Sequence, residues 1–516
     1  MTINERRNLP IWKRIILGFF TILSFVIQVA LIVIFIILMY DNYDSIFSNL
    51  AGLFYILSEI LGLIFTIYII HRPINTNYKL TWVTLILIFP IPFIVLYVIN
   101  GTGRKSSSRK LRKLNKAYSH LDVLTNKDNI QLNDIEEQLK KLLYNEGNFV
   151  IYDNTSTKFF KDIKEKDEDM FKEFENAKKY ILIESFIVSK GILVEKLIDV
   201  LKRKGEEGVK IYIIFDAVGS LKNKGDIIKK FTDIKNCQIT SFNPLRLTFN
   251  LFINYRDHRK ITVIDGIISY CGGDNLADEY TNDKKKFGHW RDNCMKYVGE
   301  ASKTFMSLFL RMWYMSTKSY INDIDFPIYN SKETNEIVMP FGDGPSTNEN
   351  IAYDVFKTLI ISSKKKLYIS TPYFILDDEM IDLISYKARC GVDVILLMPG
   401  IPDKKIPYYM GRSNYKKILK SGCKVYEYSP GFNHAKNIIV DDKYAFIGTI
   451  NMDYRSLFLH FECGAIVFRS KVIENMSLDF IDALTKSKEI TLEDRKKMNK
   501  MQRFIAFVLN IFEPLF

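Results

Sequence analysis

At 516 residues the chain is too long for one ordinary hydrophobic core, which makes two or three domains the starting expectation. A net charge of +13 with 25% charged residues points to anionic partners and leaves nucleic acid and an anionic lipid surface as the classes to separate. The six cysteines are scattered, with no CxxC pair and no ligand-like spacing, which argues against a zinc site or a disulfide framework and for reduced, buried thiols.

The N-terminal region separates the two partner classes. Ile15 to Met39 is 25 residues without a charge, Ala51 to Ile70 carries only Glu59, and a third apolar run, Leu80 to Ile99, contains Pro90 and Pro92. About 20 such residues cover a bilayer, so residues 1–103 read as a membrane region with helices near 15–39, 51–70 and 80–99. A signal peptide would have a shorter apolar core and a small-residue cleavage site, and neither is present. Arg6, Arg7, Lys13 and Arg14 precede the first run, Arg72 and Lys79 follow the second, and seven more basic residues lie between Gly103 and Lys116. If the proline-bearing third run dips into the bilayer or lies at its surface, all these clusters fall on the cytoplasmic side, as the positive-inside rule favours. The expectation is therefore a multi-pass protein of the cell membrane with a cytoplasmic catalytic part; three full spans and an outward-facing domain is the alternative. The membrane region favours lipid over nucleic acid as the partner.

Residues 104–144 are polar and charged and read as a linker, followed by two similar halves, 145–325 and 326–516. FENAKKYILIESFIVSKG (Phe174 to Gly191) corresponds to IISSKKKLYISTPYFILDD (Ile360 to Asp378): a helix end, a lysine-rich turn and a β-rich run. LIDVLKRKGEEGVKIYIIFD then matches MIDLISYKARCGVDVILLMPG, a helix, a glycine-bearing break and a continuous apolar run typical of a buried parallel strand. Alternating helices and apolar strands predict an α/β fold, and the duplication predicts two similar domains packed about a pseudo-twofold axis.

Each half ends in the same spacing, H-x-K-x4-D: His258, Lys260 and Asp265, then His434, Lys436 and Asp441. A histidine and a lysine two apart on an extended chain face the same way, so an imidazole and an ammonium are offered together, a pairing that suits a phosphate. These six are the candidate catalytic residues, although Asp265-Gly266 and Asp441-Asp442 carry turn signals that place the aspartates at a hairpin tip rather than against phosphorus. Small residues follow in both copies, GGDN ending at Asn275 and GTIN ending at Asn451. They allow close backbone approach, and each asparagine offers an amide donor for a substrate phosphate.

The duplicated motif resembles that of the phospholipase D superfamily. FNLFINYRDHRK, GGDNLADEY, HWRD, VMPFGDGP, ISTPYFILDDE, GVDVILLMPGIPD, YEYSPGFNHAKNIIVDD and IGTINMDYRSLFLHFE are similar, more narrowly, to the bacterial cardiolipin synthases. The chain departs from that pattern at Ala277, usually Gly, and at His460, usually Asn. The resemblance implies a cardiolipin synthase: one histidine attacks the phosphorus of phosphatidylglycerol, a phosphatidyl-histidine forms as glycerol leaves, and a second phosphatidylglycerol takes the phosphatidyl group to give cardiolipin. Phosphatidylglycerol and cardiolipin are then the membrane partners, with no cofactor and no metal. It further implies His258 as nucleophile and His434 as acid and base, with Lys260, Lys436, Asn275 and Asn451 neutralising the phosphoryl oxygens. A membrane-bound phospholipase D that hydrolyses phospholipids to phosphatidic acid would use the same histidines and is the alternative.

A histidine acting in this way needs an acceptor on its other ring nitrogen. Aligning HWRDNCMKYV with HFECGAIVF pairs Asp292 with Glu462, and the expectation is that Asp292 orients His258 and Glu462 orients His434. Two further stretches bear on lipid access. Asn243 to Arg256 mixes arginine with Leu and Phe, and Arg503 to Phe516 is apolar but too short to span.

Overall fold

The computed structural model describes residues 46–100, 130–220, 224–244, 254–327, 329, 334, 336–347, 349–496, 499, 501, 508 and 509. The first apolar run, Ile15 to Met39, lies outside the described residues, as do the basic cluster after Gly103, residues 245–253 and nearly all of Arg503 to Phe516. The chain forms two compact units.

The unit that holds the N-terminal region contains the helix Ile46–Ile70, whose stretch Gly52–Ile70 is, among the described residues, the one segment long and apolar enough to cross a membrane. The third apolar run is not a single helix. It divides into Thr76–Ile88 and Pro90–Asn100, with Phe89 at φ −140° between them. Proline has no N–H to continue the ladder and disfavours helical geometry at the residue before it, so the chain breaks at Phe89 and restarts at Pro90. Pieces of 13 and 11 residues rise about 20 and 17 Å, short of the roughly 30 Å of hydrocarbon in a bilayer. Ile69, Trp82, Ile86, Ile94 and Tyr97 form the buried centre of these helices, with the Trp82 and Tyr97 rings edge to face at 5.3 Å.

In the other unit, the first half supplies β1 (Thr155–Phe160), β2 (Tyr180–Ser185), β3 (Lys210–Asp216), β4 (Cys237–Phe242), β5 (Ile261–Ile264), β6 (Ile268–Gly272), β7 (His289–Arg291) and β8 (Cys294–Gly299). The second half supplies β9 (Ile337–Asp343), β10 (Lys366–Ser370), β11 (Phe374–Ile375), β12 (Asp393–Pro399), β13 (Lys424–Tyr428), β14 (Gly431–Asn433), β15 (Asn437–Val440), β16 (Tyr444–Gly448), β17 (Met452–Asp453), β18 (Glu462–Phe468) and β19 (Ser487–Glu489). The sheets run β1-β8-β6-β5-β2-β3-β4 and β9-β18-β16-β15-β10-β12-β13-β19, the same order in both halves apart from the terminal β19. β2, β3 and β4 are parallel, as are β10, β12 and β13, and the remaining pairs within these two sheets are antiparallel. The fold is mixed α/β in two sheets. The apolar runs predicted as buried strands are β3 and β12, each buried along nearly its whole length.

The predicted hairpin tips are where the turn residues place them. Asp265 and Gly266 have φ of +50° and +70°, and Asp441 and Asp442 both +53°, and each doubly positive pair opens a three-residue connection, 265–267 between β5 and β6 and 441–443 between β15 and β16. Part of the stretch read as a linker to residue 144 is instead a helix, Asp134–Gly147, belonging to this unit. A capping box between Asn133 and Glu136 starts it, Leu139 and Leu143 are buried on one face, and Asn133 donates to the Tyr444 hydroxyl at 2.9 Å. The polar majority of its residues hid that one-sided apolar face.

The halves also exchange main chain. β7 pairs in parallel with β14, and an isolated bridge joins Asp257 to Phe461. Cys271 and Cys463, both fully buried with sulfurs 3.6 Å apart, mark where the two sheets meet.

Candidate active site

The exchanged main chain sets the histidines. The His258 N–H donates to the Phe461 carbonyl at 2.9 Å, and the His434 N–H donates to the Arg291 carbonyl at 2.7 Å. Each imidazole is therefore fixed by the segment that leads into the acidic residue of the opposite half. Gly431 permits this pairing, since a Cβ there would lie 2.2 Å from the His289 carbonyl oxygen.

The carboxylates follow the same exchange. His258 Nδ1 lies 2.9 and 3.1 Å from the two carboxylate oxygens of Glu462, and His434 Nδ1 lies 2.6 Å from Asp292 Oδ2. The expected pairing of Asp292 with His258 and Glu462 with His434 is corrected: each acid serves the histidine of the other half. The reason is topological. Asp292 directly follows β7, which runs beside the strand leading into His434, and Glu462 directly follows the bridge to Asp257. Gly273 makes room for Asp292, because a Cβ at that position would fall 2.1 Å from its Oδ1. A carboxylate at Nδ1 holds the proton on that nitrogen and leaves the Nε2 lone pair free on both rings.

Both histidines are nearly fully buried, and burial is the largest cause holding their pKa values well below 6.5, followed for each by the two lysines of the motif. Burial also pushes the Lys436 ammonium down to about 7, against the pull of Asp292, and pushes the Asp292 carboxyl up to about 6. Lys260 is shifted down for the same reason. The Lys260 ammonium donates to the His258 carbonyl at 2.5 Å, and that of Lys436 to the His434 carbonyl. This is a buried site with two neutral imidazoles and two lysines whose ammonium forms are short of anions, an arrangement that an incoming phosphodiester would complete.

The remaining predicted residues divide. Asn275 is buried close to His434: its oxygen accepts from the Ile187 N–H at 3.0 Å and its amide donates to the Tyr280 hydroxyl, whose ring centroid is 5.4 Å from that of His434. Asn451 is buried with its side-chain oxygen unpaired. Asp265 and Asp441 sit at the hairpin tips and not beside the imidazoles. Asp265 accepts from the N–H groups of Lys178, Lys179 and Tyr180, and Asp441 from those of Lys364, Lys365 and Lys366, so each ties down the start of a central strand. Five residues of extended chain separate each from its lysine, roughly 16 Å.

Several neighbours went unpredicted. Phe186 packs edge to face on His258 at 4.9 Å, and Trp290 and Phe432 approach His434 at 5.2 and 5.6 Å, excluding water from the rings. The Thr449 hydroxyl donates to Glu462. Trp290 and Thr449 sit inside HWRD and GTIN, so closeness to the motif was the available signal.

Comparison with known proteins bears on this geometry. The family model described as cardiolipin synthase, PLD-like domain matches residues 170–313 and again 356–484, once in each half. An uncharacterized protein of Streptococcus mutans is 33% identical over 460 residues, 87% of this chain and 99% of that protein. Proteins named cardiolipin synthase from Halalkalibacterium halodurans and Staphylococcus aureus are 32% and 33% identical over 484 and 470 residues, covering 90% and 87% of this chain and 94% of each relative. Among solved structures, the phosphatidylserine synthase of Haemophilus influenzae Rd KW20 superposes with a TM-score of 0.56 over 75% of this chain and 100% of that one, at 15% identity, a likeness of fold.

Proposed function

The chain belongs to the cardiolipin synthases of the phospholipase D type, and from that membership we propose that it joins two molecules of phosphatidylglycerol into cardiolipin and glycerol through a phosphatidyl-histidine. It is a phosphatidyltransferase; the lipid substrates, the covalent intermediate and the role of each residue are inferred. The observation that carries the reading is the reciprocal pair of buried imidazoles, each with Nδ1 on a carboxylate of the opposite half and each with a lysine two residues on.

In the first step His258 Nε2 attacks phosphorus. The bond from phosphorus to the glycerol oxygen breaks, and His434, protonated when the anionic lipid enters, gives its proton to that oxygen. In the second step the hydroxyl of another phosphatidylglycerol gives its proton to the now neutral His434 and attacks phosphorus, and the bond to His258 breaks. Glu462 stabilises the positive charge on His258, and Asp292 does the same for His434. Lys260 and Lys436, with Asn275 and Asn451, neutralise the oxygens of the pentacoordinate phosphorus. The helix Ile46–Ile70 and the basic, apolar N-terminal region support a place in the cell membrane, multi-pass and with the catalytic halves in the cytoplasm.

The test is mass spectrometry of lipids after the purified protein meets phosphatidylglycerol vesicles, with His258→Ala alongside. Cardiolipin and glycerol from the wild type alone are expected. Phosphatidic acid without cardiolipin would replace the transferase with a hydrolase, and no product dependent on His258 would reject this substrate.

A further inference from the structure

His460 is the unexplained titratable group nearest the chemistry. It is 8% exposed, its ring centroid is 5.4 Å from that of His258, and neither the motif nor the transfer steps above use it. Its two nitrogens are placed differently. Arg455 Nε lies 3.2 Å from His460 Nε2, while His460 Nδ1 faces Glu462 Oε1 at 3.6 Å, too long for a hydrogen bond, and is left buried without a partner. An arginine N–H can only donate, so Nε2 must accept. Burial also pushes the His460 pKa down to about 3, so the ring is neutral and its single proton belongs on Nδ1, the atom aimed at Glu462.

His258, His460 and Glu462 have ligating atoms within 4.8 Å of one another, a grouping that on distance alone could hold a metal ion. Arg455 opposes that reading, because ligation through His460 Nδ1 would move the proton to Nε2 and set two N–H groups against each other. The same geometry favours donation to the carboxylate.

We propose that His460 is a positioning residue that acts through Glu462, its Nδ1–H directed at Glu462 Oε1 and gripping it most strongly while His258 is neutral and the carboxylate charge is uncompensated, and that Arg455 fixes the tautomer that allows this. Glu462 is then held from two sides, by the Thr449 hydroxyl on Oε2 and by His460 on Oε1, with His258 between them. A donor on the carboxylate draws electron density from it and moderates its grip on the His258 proton. Removing that donor makes Glu462 a stronger acceptor, stabilises the imidazolium and raises the pH at which His258 becomes free to attack. The charged and titratable groups facing this cluster are Lys260, Lys436, His434, Lys404, Arg455 and Asp453, and all remain in place in the variants below.

Asparagine is the informative replacement, since its oxygen can accept from Arg455 while its amide donates to Glu462. Leucine fills similar space with neither. The inference rests on the proposed role of His258 as nucleophile, so its test is read without lipid turnover. The carbethoxylation rate of His258 by diethyl pyrocarbonate is followed across pH by peptide mass spectrometry in the full-length protein, for the wild type, His460→Asn, His460→Leu and His460→Ala. The midpoint should rise by about one pH unit in the Leu and Ala variants, a tenfold slower reaction at a fixed acidic pH, and stay at the wild-type value in the Asn variant. Equal midpoints in wild type and the Leu variant, or an Asn variant that behaves like Leu, would overturn the proposal. Should the Ala variant not fold, Leu against Asn still decides it. If lipid transfer is absent while the midpoints move as expected, the substrate assignment fails and the positioning role stands.

Discussion

Glu462→Gln isolates the charge that the crossed geometry puts on His258. Glu462 is fully buried and meets Nδ1 at 2.9 and 3.1 Å, so bulk solvent screens the pair little. At about 3 Å and an effective dielectric near 20, attraction between carboxylate and imidazolium approaches roughly 5 kcal/mol, an upper bound because the amide keeps a weaker, uncharged hydrogen bond. A net loss of about 3–4 kcal/mol in the transition state lowers kcat by roughly 10²- to 10³-fold. KM should change little, because the side chain touches the histidine rather than the lipid. The amide is nearly the same size and can still accept from Thr449, so thermal unfolding should stay close to wild type. Cardiolipin formation in mixed micelles, with a melting curve on the same preparation, gives both readouts. A kcat within about threefold of wild type in a folded Glu462→Gln protein would refute the electrostatic role; that margin corresponds to only about 0.7 kcal/mol.

Four other outcomes follow from the site. Asp292→Asn weakens His434 as acid, so a phosphatidyl ester with a p-nitrophenol leaving group, which needs no protonation, should recover most of the first step in that variant and little in Glu462→Gln; equal behaviour of the two would undo the crossed assignment. In the pH profile of kcat/KM the acid limb should lie well below pH 6.5, because burial and Lys260 depress the His258 pKa and keep it unprotonated above that range. Above about pH 7 Lys436 loses its charge and KM for the anionic lipid should climb, whereas a flat KM to pH 9 would contradict that role. Asp265→Ala removes the acceptor of three backbone N–H groups at the start of β2 and should cost about 1–3 kcal/mol of stability, with specific activity of the folded fraction within about twofold. A large loss of kcat in well-folded Asp265→Ala would return that residue to the chemistry.

Much of this molecule could be read from the chain because its two halves repeat. Apolar runs bounded by glycine breaks gave β3 and β12, the doubled H-x-K gave both imidazoles, and Asp265-Gly266 gave a hairpin tip. Asp292 and Glu462 were found by aligning the halves, but an alignment matches equivalent positions and carries no contact between them, which left each acid assigned to the histidine of its own half. The exchange of β7 with β14, and of Asp257 with Phe461, exists only between halves, so the crossing was invisible until the main chain was in place. The helix Asp134–Gly147 was hidden by its own charge, since two leucines four apart bury one face while the rest of the surface reads as linker. The break at Phe89 was signalled by Pro90, and hydropathy averaging smoothed it away.

Transfer through His258 requires a covalent bond between phosphorus and a nitrogen of that ring. Rapid quenching of the enzyme with isotope-labelled phosphatidylglycerol, followed by peptide mass spectrometry under conditions that preserve phosphoramidates, looks for that bond directly. The predicted result is a labelled phosphatidyl group on the peptide carrying His258, formed within one turnover and passed to unlabelled phosphatidylglycerol as labelled cardiolipin. Label found only on the peptide carrying His434, or cardiolipin produced at full rate with no adduct on either histidine, would contradict it.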